Sequence, residues 1–78
     1  LNTMNPTDII HIFVKFQDQF SGANDTKIVT RSAATFEAMK RGIGTTFNKF
    51  DKNAGINYTW KVIEVRQAEQ TDYKPLNK

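Results

Sequence analysis

The only histidine of this 78-residue chain, His11, lies between two isoleucines in a run of alternating bulky residues. Histidine is the side chain that most often serves as a general base or a metal ligand near neutral pH. A metal site needs several ligands at suitable spacing, and no carboxylate lies in the same run to assist. We therefore interpret His11 as a partly buried or sheet-surface histidine, and we expect neither a catalytic role nor a bound metal.

Carboxylates could supply acid–base chemistry instead, as pairs of them do in glycosidases. Four are spread along the chain: Asp18, Asp25, Asp51 and Glu64. Nothing in their spacing brings two of them together. The segment from Asp51 to Gly55 begins like a calcium loop, but Gly55 occupies the fifth ligand position and Val62 stands at the acidic twelfth. We expect no carboxylate pair and no calcium site.

Gly42-Ile43-Gly44 is similar to the start of a glycine-rich phosphate loop. Such a loop follows a strand, opens a helix and carries a third glycine, whereas these two glycines lie inside a helix-like pattern and lack the third. The neighbouring Thr45 and Thr46 have no adjacent base that would activate a hydroxyl. The sequence therefore predicts a protein that is not an enzyme and needs no cofactor.

Aromatic and basic side chains are interleaved along the strand-like runs. Eleven Lys and Arg oppose eight Asp and Glu, and this net charge of +3 permits contact with phosphates or with an acidic protein. Rings and cations on one sheet face are the arrangement of sheet-based readers of single strands. The predicted nucleic-acid-binding residues are Phe13, Lys15, Lys27, Arg31, Tyr58 and Trp60. A second basic surface is predicted on the polar side of the helix: Lys40, Arg41, Lys49 and Lys52.

The facing of the last strand decides between two functions. If Trp60 lies on the open face of the sheet, its ring is available to stack on bases. If Trp60 packs beneath Phe36 and Phe47, the open face suits a β-sheet dimer instead. That open face would then consist of Lys61, Ile63 and Val65.

Three runs predict strands. Residues 9–17 and 56–66 alternate bulky and polar side chains with the period of two that is typical of strands, and residues 27–31 form a shorter one. Residues 18–25 are rich in turn formers. The first two strands are therefore expected to pair as an antiparallel hairpin with a long loop.

Between the second and third strands the apolar period changes to that of a helix. The apolar positions recur at steps of three and four: Phe36, Met39, Ile43, Phe47 and Phe50. This stripe predicts one core-facing helix over about residues 33–52, with Ser32 as the N-cap. Gly42 and Gly44 each cost about 0.8–1 kcal/mol inside a helix. They either let the helix approach the sheet closely or mark a break between two shorter helices, and we favour one helix, bent or straight.

A chain of 78 residues is long enough for one small domain only. We expect a flexible lead-in at residues 1–8, an α+β domain at residues 9–66 and a frayed or disordered tail at residues 67–78. The domain has the order β-β-α-β, with one helix on a small three-stranded, mainly antiparallel sheet. One helix covers one face, yet Ile12 and Phe13 place apolar side chains on both. Since the chain has no cysteine to form a disulfide, a homodimer is expected to bury the second face.

One architectural resemblance follows from this order. Ile12-Phe13-Val14-Lys15, followed by a hairpin and a helix, resembles the front half of a β-grasp domain, and the passage from Phe47 to Trp60 is similar to the helix-to-strand passage of immunoglobulin-binding β-grasp modules. The resemblance covers about half of the chain and depends on hydrophobic pattern. It implies architecture only, and the single strand predicted after the helix departs from the two or more of that fold.

We expect a small nucleic-acid-binding protein, of the accessory kind carried by phages and mobile elements, with single-stranded nucleic acid as its partner. The alternative is a protein-interaction module or inhibitor that uses an exposed sheet face or edge and functions as a homodimer. An enzyme that combines carboxylates from two subunits ranks third. No apolar run approaches membrane-spanning length and no basic-then-apolar leader precedes the first strand, so we expect a cytoplasmic protein without a membrane partner.

Overall fold

The computed structural model describes residues 4–73, which form a four-stranded antiparallel sheet and one short helix. In chain order the elements are β1 (Ile9–Asp18), β2 (Asn24–Ser32), α1 (Ala33–Arg41), β3 (Thr46–Asp51), β4 (Ile56–Gln67) and a 3₁₀ turn (Gln70–Asp72). The strands lie in the order β2-β1-β4-β3 across the sheet. The predicted α+β class with one helix and an antiparallel sheet is confirmed. The predicted number of three strands and the order β-β-α-β are wrong.

Strands β1 and β2 form the expected hairpin, paired from Ile9 opposite Ser32 to Gln17 opposite Asn24. The buried carboxylate of Asp18 organises the loop between them. It accepts a hydrogen bond from the backbone N–H of Phe20 at 2.9 Å and another from the Ser21 hydroxyl at 3.1 Å. A short polar side chain that binds its own loop backbone stabilises a turn in this way.

Helix α1 begins where the sequence predicts and ends earlier. The Ser32 hydroxyl accepts the backbone N–H of Thr35 at 3.2 Å, so the predicted N-cap is confirmed. The prediction of one helix over residues 33–52 is wrong, because α1 stops at Arg41 and Gly42 caps its end. Gly44 follows with φ of +95°, a left-handed conformation that costs most residues about 1–2 kcal/mol. The glycines mark a break, and the segment after them is a strand rather than a second helix.

The predicted apolar stripe is therefore divided between two elements. Phe36 is 6% exposed on α1, and Met39 packs against the same cluster. Phe47 and Phe50 lie on β3, where they are 40% and 58% exposed. A spacing of three places two side chains on one side of a helix but on opposite faces of a strand. Only the first part of the stripe is core, and the prediction of a continuous core stripe is wrong.

The core lies between α1 and one end of the sheet. Ile12 is fully buried, and Phe36 packs on it together with Ile10, Val14 and Val65. Helix α1 has nine residues and is about 13 Å long, whereas the twelve residues of β4 span about 40 Å. The helix therefore covers only part of the face on which it packs. Within residues 4–73, no helix is long and apolar enough to cross a membrane.

Both ends of the described segment pack on the domain. The backbone carbonyls of Asp8 and Pro6 accept the N–H groups of Ala33 and Ala34 at 2.8 and 3.0 Å, which satisfies donors at the start of α1. At the other end, where a frayed tail is expected from residue 67, β4 continues to Gln67 and the 3₁₀ turn follows. Residues 1–3 of the predicted lead-in and residues 74–78 of the predicted tail lie outside the described residues.

Two strands follow α1, so the element order agrees with the β-grasp resemblance more closely than the sequence predicts. The direction of the central strands does not agree. Strands β1 and β4 are antiparallel here, whereas the central pair of a β-grasp sheet is parallel. The likeness is therefore limited to the order of elements.

Candidate nucleic-acid interface

The sheet face that carries α1 is open beyond the helix, and four aromatic side chains lie on this open part. We call these residues the aromatic platform: Phe16, Phe47, Tyr58 and Trp60. The rings of Phe16 and Phe47 meet edge to face with their centroids 5.4 Å apart. Trp60 pairs with Phe47 across β3 and β4, and Tyr58, two residues away on β4, shares its face. Tyr58 and Trp60 are each partly exposed, so their rings remain accessible.

A β-bulge decides which way Trp60 faces. Lys15 pairs with Glu64, but the next residue, Phe16, pairs with Val62, so Ile63 has no partner. An extra residue of this kind shifts the side-chain alternation by one position. Without the bulge, Trp60 would point to the face away from α1. With it, Trp60 joins Phe16 and Val62 on the helix side of the sheet.

Lysine side chains surround the aromatic platform. Lys27 places its Nζ 5.9 Å from the centroid of the Phe16 ring, and Lys49 pairs with Tyr58 across the β3–β4 hairpin. Phe16, Trp60 and these two lysines line one shallow pocket of about 220 Å³ that also contains the carboxylate of Asp25. Within the described residues neither Lys27 nor Lys49 forms an ion pair. Two positive charges and the one negative charge of Asp25 therefore border this pocket, which leaves it net positive.

The structure divides the predicted binding residues between the two faces of the sheet. Lys27 and Arg31 lie opposite Val14 and Ile10 of β1, on the side of α1, as Tyr58 and Trp60 do. Phe13 and Lys15 lie on the other side. Lys27, Tyr58 and Trp60 come together at the aromatic platform, and Arg31 lies on the same face nearer the helix. Phe13 and Lys15 do not join them.

Both residues on the far face are occupied by contacts within the chain. The guanidinium carbon of Arg66 lies 4.1 Å from the centroid of the Phe13 ring, and Phe13 is 7% exposed. The Nζ of Lys15 lies 3.5 Å from a carboxylate oxygen of Glu64. A covered ring and a paired ammonium are poorly placed to contact a base or a phosphate.

The segment after β4 folds back over this far face, held by Arg66. The Arg66 guanidinium donates to both oxygens of Asp72 at 2.7 Å and to Glu64 at 2.8 Å. The hydrogen bonds from Arg66, followed by one from the Glu69 backbone N–H, lower the pKa of Asp72 to about 2. The hydrogen bond from Arg66 likewise lowers the pKa of Glu64, and both carboxylates raise the pKa of Arg66. The chain itself therefore covers part of the second apolar face.

His11 lies at the end of this covered region. Its Nδ1 is 3.3 Å from the Thr30 hydroxyl, and its ring meets the Tyr73 ring edge on at a centroid distance of 6.3 Å. The side chain is exposed, as a sheet-surface histidine would be. Residues 4–73 place no three histidine or carboxylate side chains together as metal ligands.

The second basic surface predicted on one helix face is split between α1 and the β3–β4 hairpin. Lys40 pairs with Glu37 at 3.1 Å and lies 4.6 Å from the centroid of the Phe36 ring, and Arg41 ends the helix. Lys49 lies on β3, and Lys52 lies in the turn after it, beside a pocket that also contacts Trp60. The prediction that one helix carries all four residues is wrong, because α1 ends at Arg41.

The sequence does not predict two members of the aromatic platform as binding residues. The spacing of Phe47 fits the helical stripe, and Phe16 is predicted only as part of the first strand. The signal for Phe47 was present in the sequence, because the β-branched Thr45-Thr46 directly after two glycines favours a strand start over a continuing helix. No local signal placed Phe16 beside it.

No protein-family model, curated protein or solved structure matches this chain significantly. The candidate interface is therefore assigned from side-chain geometry and charge.

Proposed function

We propose that this protein binds single-stranded nucleic acid on the aromatic platform. Bases stack on Trp60 and Tyr58, while phosphates contact Lys27, Lys49 and Lys52. The observation that supports this proposal is the convergence of four aromatic rings, and of lysines that form no ion pair within residues 4–73, on one uncovered half of a sheet face. A β-sheet with exposed rings and cations is a recurring platform for unstacked bases.

The geometry favours a single strand over a duplex. The rings of the aromatic platform lie on the surface of a sheet, where they can meet only bases that have left the base stack. In a duplex those base faces are covered by neighbouring base pairs. Stacking of one base on an aromatic side chain contributes about 1–3 kcal/mol and tolerates any base. We therefore expect affinity that depends on ring contacts and on salt more than on nucleotide sequence.

The single tryptophan of the chain gives a direct measurement, because Trp60 lies within the proposed site. Adding a single-stranded oligonucleotide at low salt is expected to quench its fluorescence. Trp60→Ala is expected to weaken binding, measured by the anisotropy of a labelled oligonucleotide, by about 1–3 kcal/mol. The matched control is Tyr73→Ala, which removes a ring that is 47% exposed and meets His11 on the face away from the aromatic platform. Circular dichroism of both variants establishes that they are folded.

Binding should also fall as salt rises, because each phosphate contact releases condensed counterions. A folded protein that binds neither single- nor double-stranded oligonucleotides at low salt would overturn the proposal. So would equal loss of affinity in Trp60→Ala and Tyr73→Ala.

A second candidate function is self-association through the outer edge of β3. Five of the six residues of this edge strand are exposed, and Phe50 is 58% exposed. Edge strands offer unpaired backbone groups to another strand, although a lysine such as Lys49 opposes such pairing. Sedimentation equilibrium is expected to show a dimer at micromolar concentration that Phe50→Asp dissociates and Phe20→Asp does not. A monomer at every concentration accessible to the experiment would exclude this candidate.

A further inference from the structure

A cleft lies between the C-terminal end of α1 and the sheet, next to the aromatic platform. It has a volume of about 330 Å³ and is open to solvent. Met39 forms one wall, and Val29 and Val62 lie on its floor. Ligand pockets in proteins have volumes of about 300–1,000 Å³. The cleft is therefore large enough for one planar group and too small for a large ligand.

Cations lie around the cleft, and no carboxylate lines it. Lys27 and Arg31 border its β2 side. The Arg31 guanidinium donates to the backbone carbonyl of Thr30 at 2.8 Å, and within the described chain it has no carboxylate partner. An apolar interior beside two cations matches the chemistry of a nucleotide, whose base is planar and apolar on its faces and whose phosphate is an anion.

The cleft is continuous with the aromatic platform. Phe16 and Lys27 line both the platform pocket and the cleft. A strand of nucleic acid that leaves Trp60 along the sheet would therefore pass over Phe16 and reach Arg31 without crossing an acidic surface other than Asp25.

We infer that the cleft is a base-binding pocket for the same single strand. One base enters between Met39 and Val29, and the phosphate beside it contacts Arg31. This inference rests on the proposed function, because the strand that fills the cleft is the one stacked on the aromatic platform. It extends the site past Phe16, so an oligonucleotide that reaches both regions binds more tightly than one that reaches the platform alone.

The inference is tested by comparing oligothymidylates of about 3 and about 8 nucleotides, a range that brackets short single-strand sites. Arg31→Gln is expected to weaken binding of the longer oligonucleotide about 3- to 10-fold and to leave the shorter one unchanged. For the longer oligonucleotide, the slope of log binding constant against log salt concentration should become shallower by about 0.7, the value for one single-strand phosphate contact. Arg41→Gln is the matched control, since it removes the same charge from the end of α1, outside the cleft.

A second pair of variants tests entry of the base itself. Val29→Phe fills the cleft without a change in charge, and it should abolish the advantage of the longer oligonucleotide. Ile28→Phe is its control, because Ile28 pairs with Phe13 and so lies on the other face of the sheet.

The outcomes separate this inference from the proposed function. In the first outcome, oligonucleotides bind and Trp60→Ala weakens their binding, but Arg31→Gln and Arg41→Gln have the same affinity for both oligonucleotides. The inference is then overturned and the platform proposal stands. In the second outcome, Arg31→Gln weakens binding of the longer oligonucleotide, but Val29→Phe and Ile28→Phe leave the same advantage of the longer over the shorter one. Arg31 then contacts a phosphate and no base enters the cleft, which also overturns the inference. If no oligonucleotide binds, both proposals fail together.

Discussion

Phe36→Ala is expected to reduce the free energy of unfolding by about 3–5 kcal/mol, because the ring is buried and its removal leaves a cavity. Phe36 is 6% exposed and packs on Ile12 and Val14 from α1. A domain of 78 residues has a total stability of roughly 4–12 kcal/mol, so this variant should be largely unfolded or close to it.

The matched variant is Phe47→Ala, which removes the same ring from β3. Phe47 is 40% exposed, so about 1–2 kcal/mol is expected from its lost burial. Thermal melts followed by circular dichroism measure both changes, at about 4–8 °C per kcal/mol for a domain of this size. One continuous helical stripe would make the two losses equal. Equal losses would therefore contradict the assignment of residues 46–51 to an edge strand.

Phe13→Ala is the second large expected effect, again a loss of about 3–5 kcal/mol. The ring is 7% exposed although it lies on the face away from α1. Arg66 covers it with its guanidinium carbon at 4.1 Å from the ring centroid, and Asp72 and Tyr73 border the same region. Removing the ring takes away both its own burial and the surface on which Arg66 rests.

Phe20→Ala is the control for stability, because removing a ring that is 94% exposed should change the free energy of unfolding by about 0.5 kcal/mol or less. Urea denaturation of the parent and both variants measures the difference. A Phe13→Ala protein that keeps the stability of the parent but loses affinity for oligonucleotides would contradict the structure. That result would instead support the sequence-based prediction that the Phe13 ring binds nucleic acid.

Much of the fold could be predicted because its signals are local. The alternation of bulky residues identifies β1 and β4, the strand-forming residues 27–31 identify part of β2, and the turn formers between β1 and β2 predict their hairpin. Ser32 is recognisable as an N-cap because capping needs only a side-chain oxygen next to the first turn. These predictions involve residues that are near one another in sequence.

Strand β3 could not be predicted from apolar spacing. Phe47 and Phe50, three residues apart, fit the helical stripe that begins at Phe36. Two glycines end the helix before Phe47. Gly42 caps α1, and Gly44 adopts a positive φ that is incompatible with a helix interior. Pairing with β4 then stabilises β3. The apolar spacing within one segment carries no information about such a contact between two segments.

The candidate site shows the same division between local and tertiary information. The sequence shows that rings and cations are interleaved along the strands, and it predicts six residues on one binding face: Phe13, Lys15, Lys27, Arg31, Tyr58 and Trp60. Four of the six share the helix side of the sheet, whereas Phe13 and Lys15 lie on the other side. The face that each of these side chains occupies depends on the register of strand pairing. The bulge at Ile63 turns Trp60 toward the helix side, because a shift of one residue reverses the facing of every β4 side chain that precedes it. Such a shift depends on how β1 and β4 pack against each other, so neither strand encodes it alone.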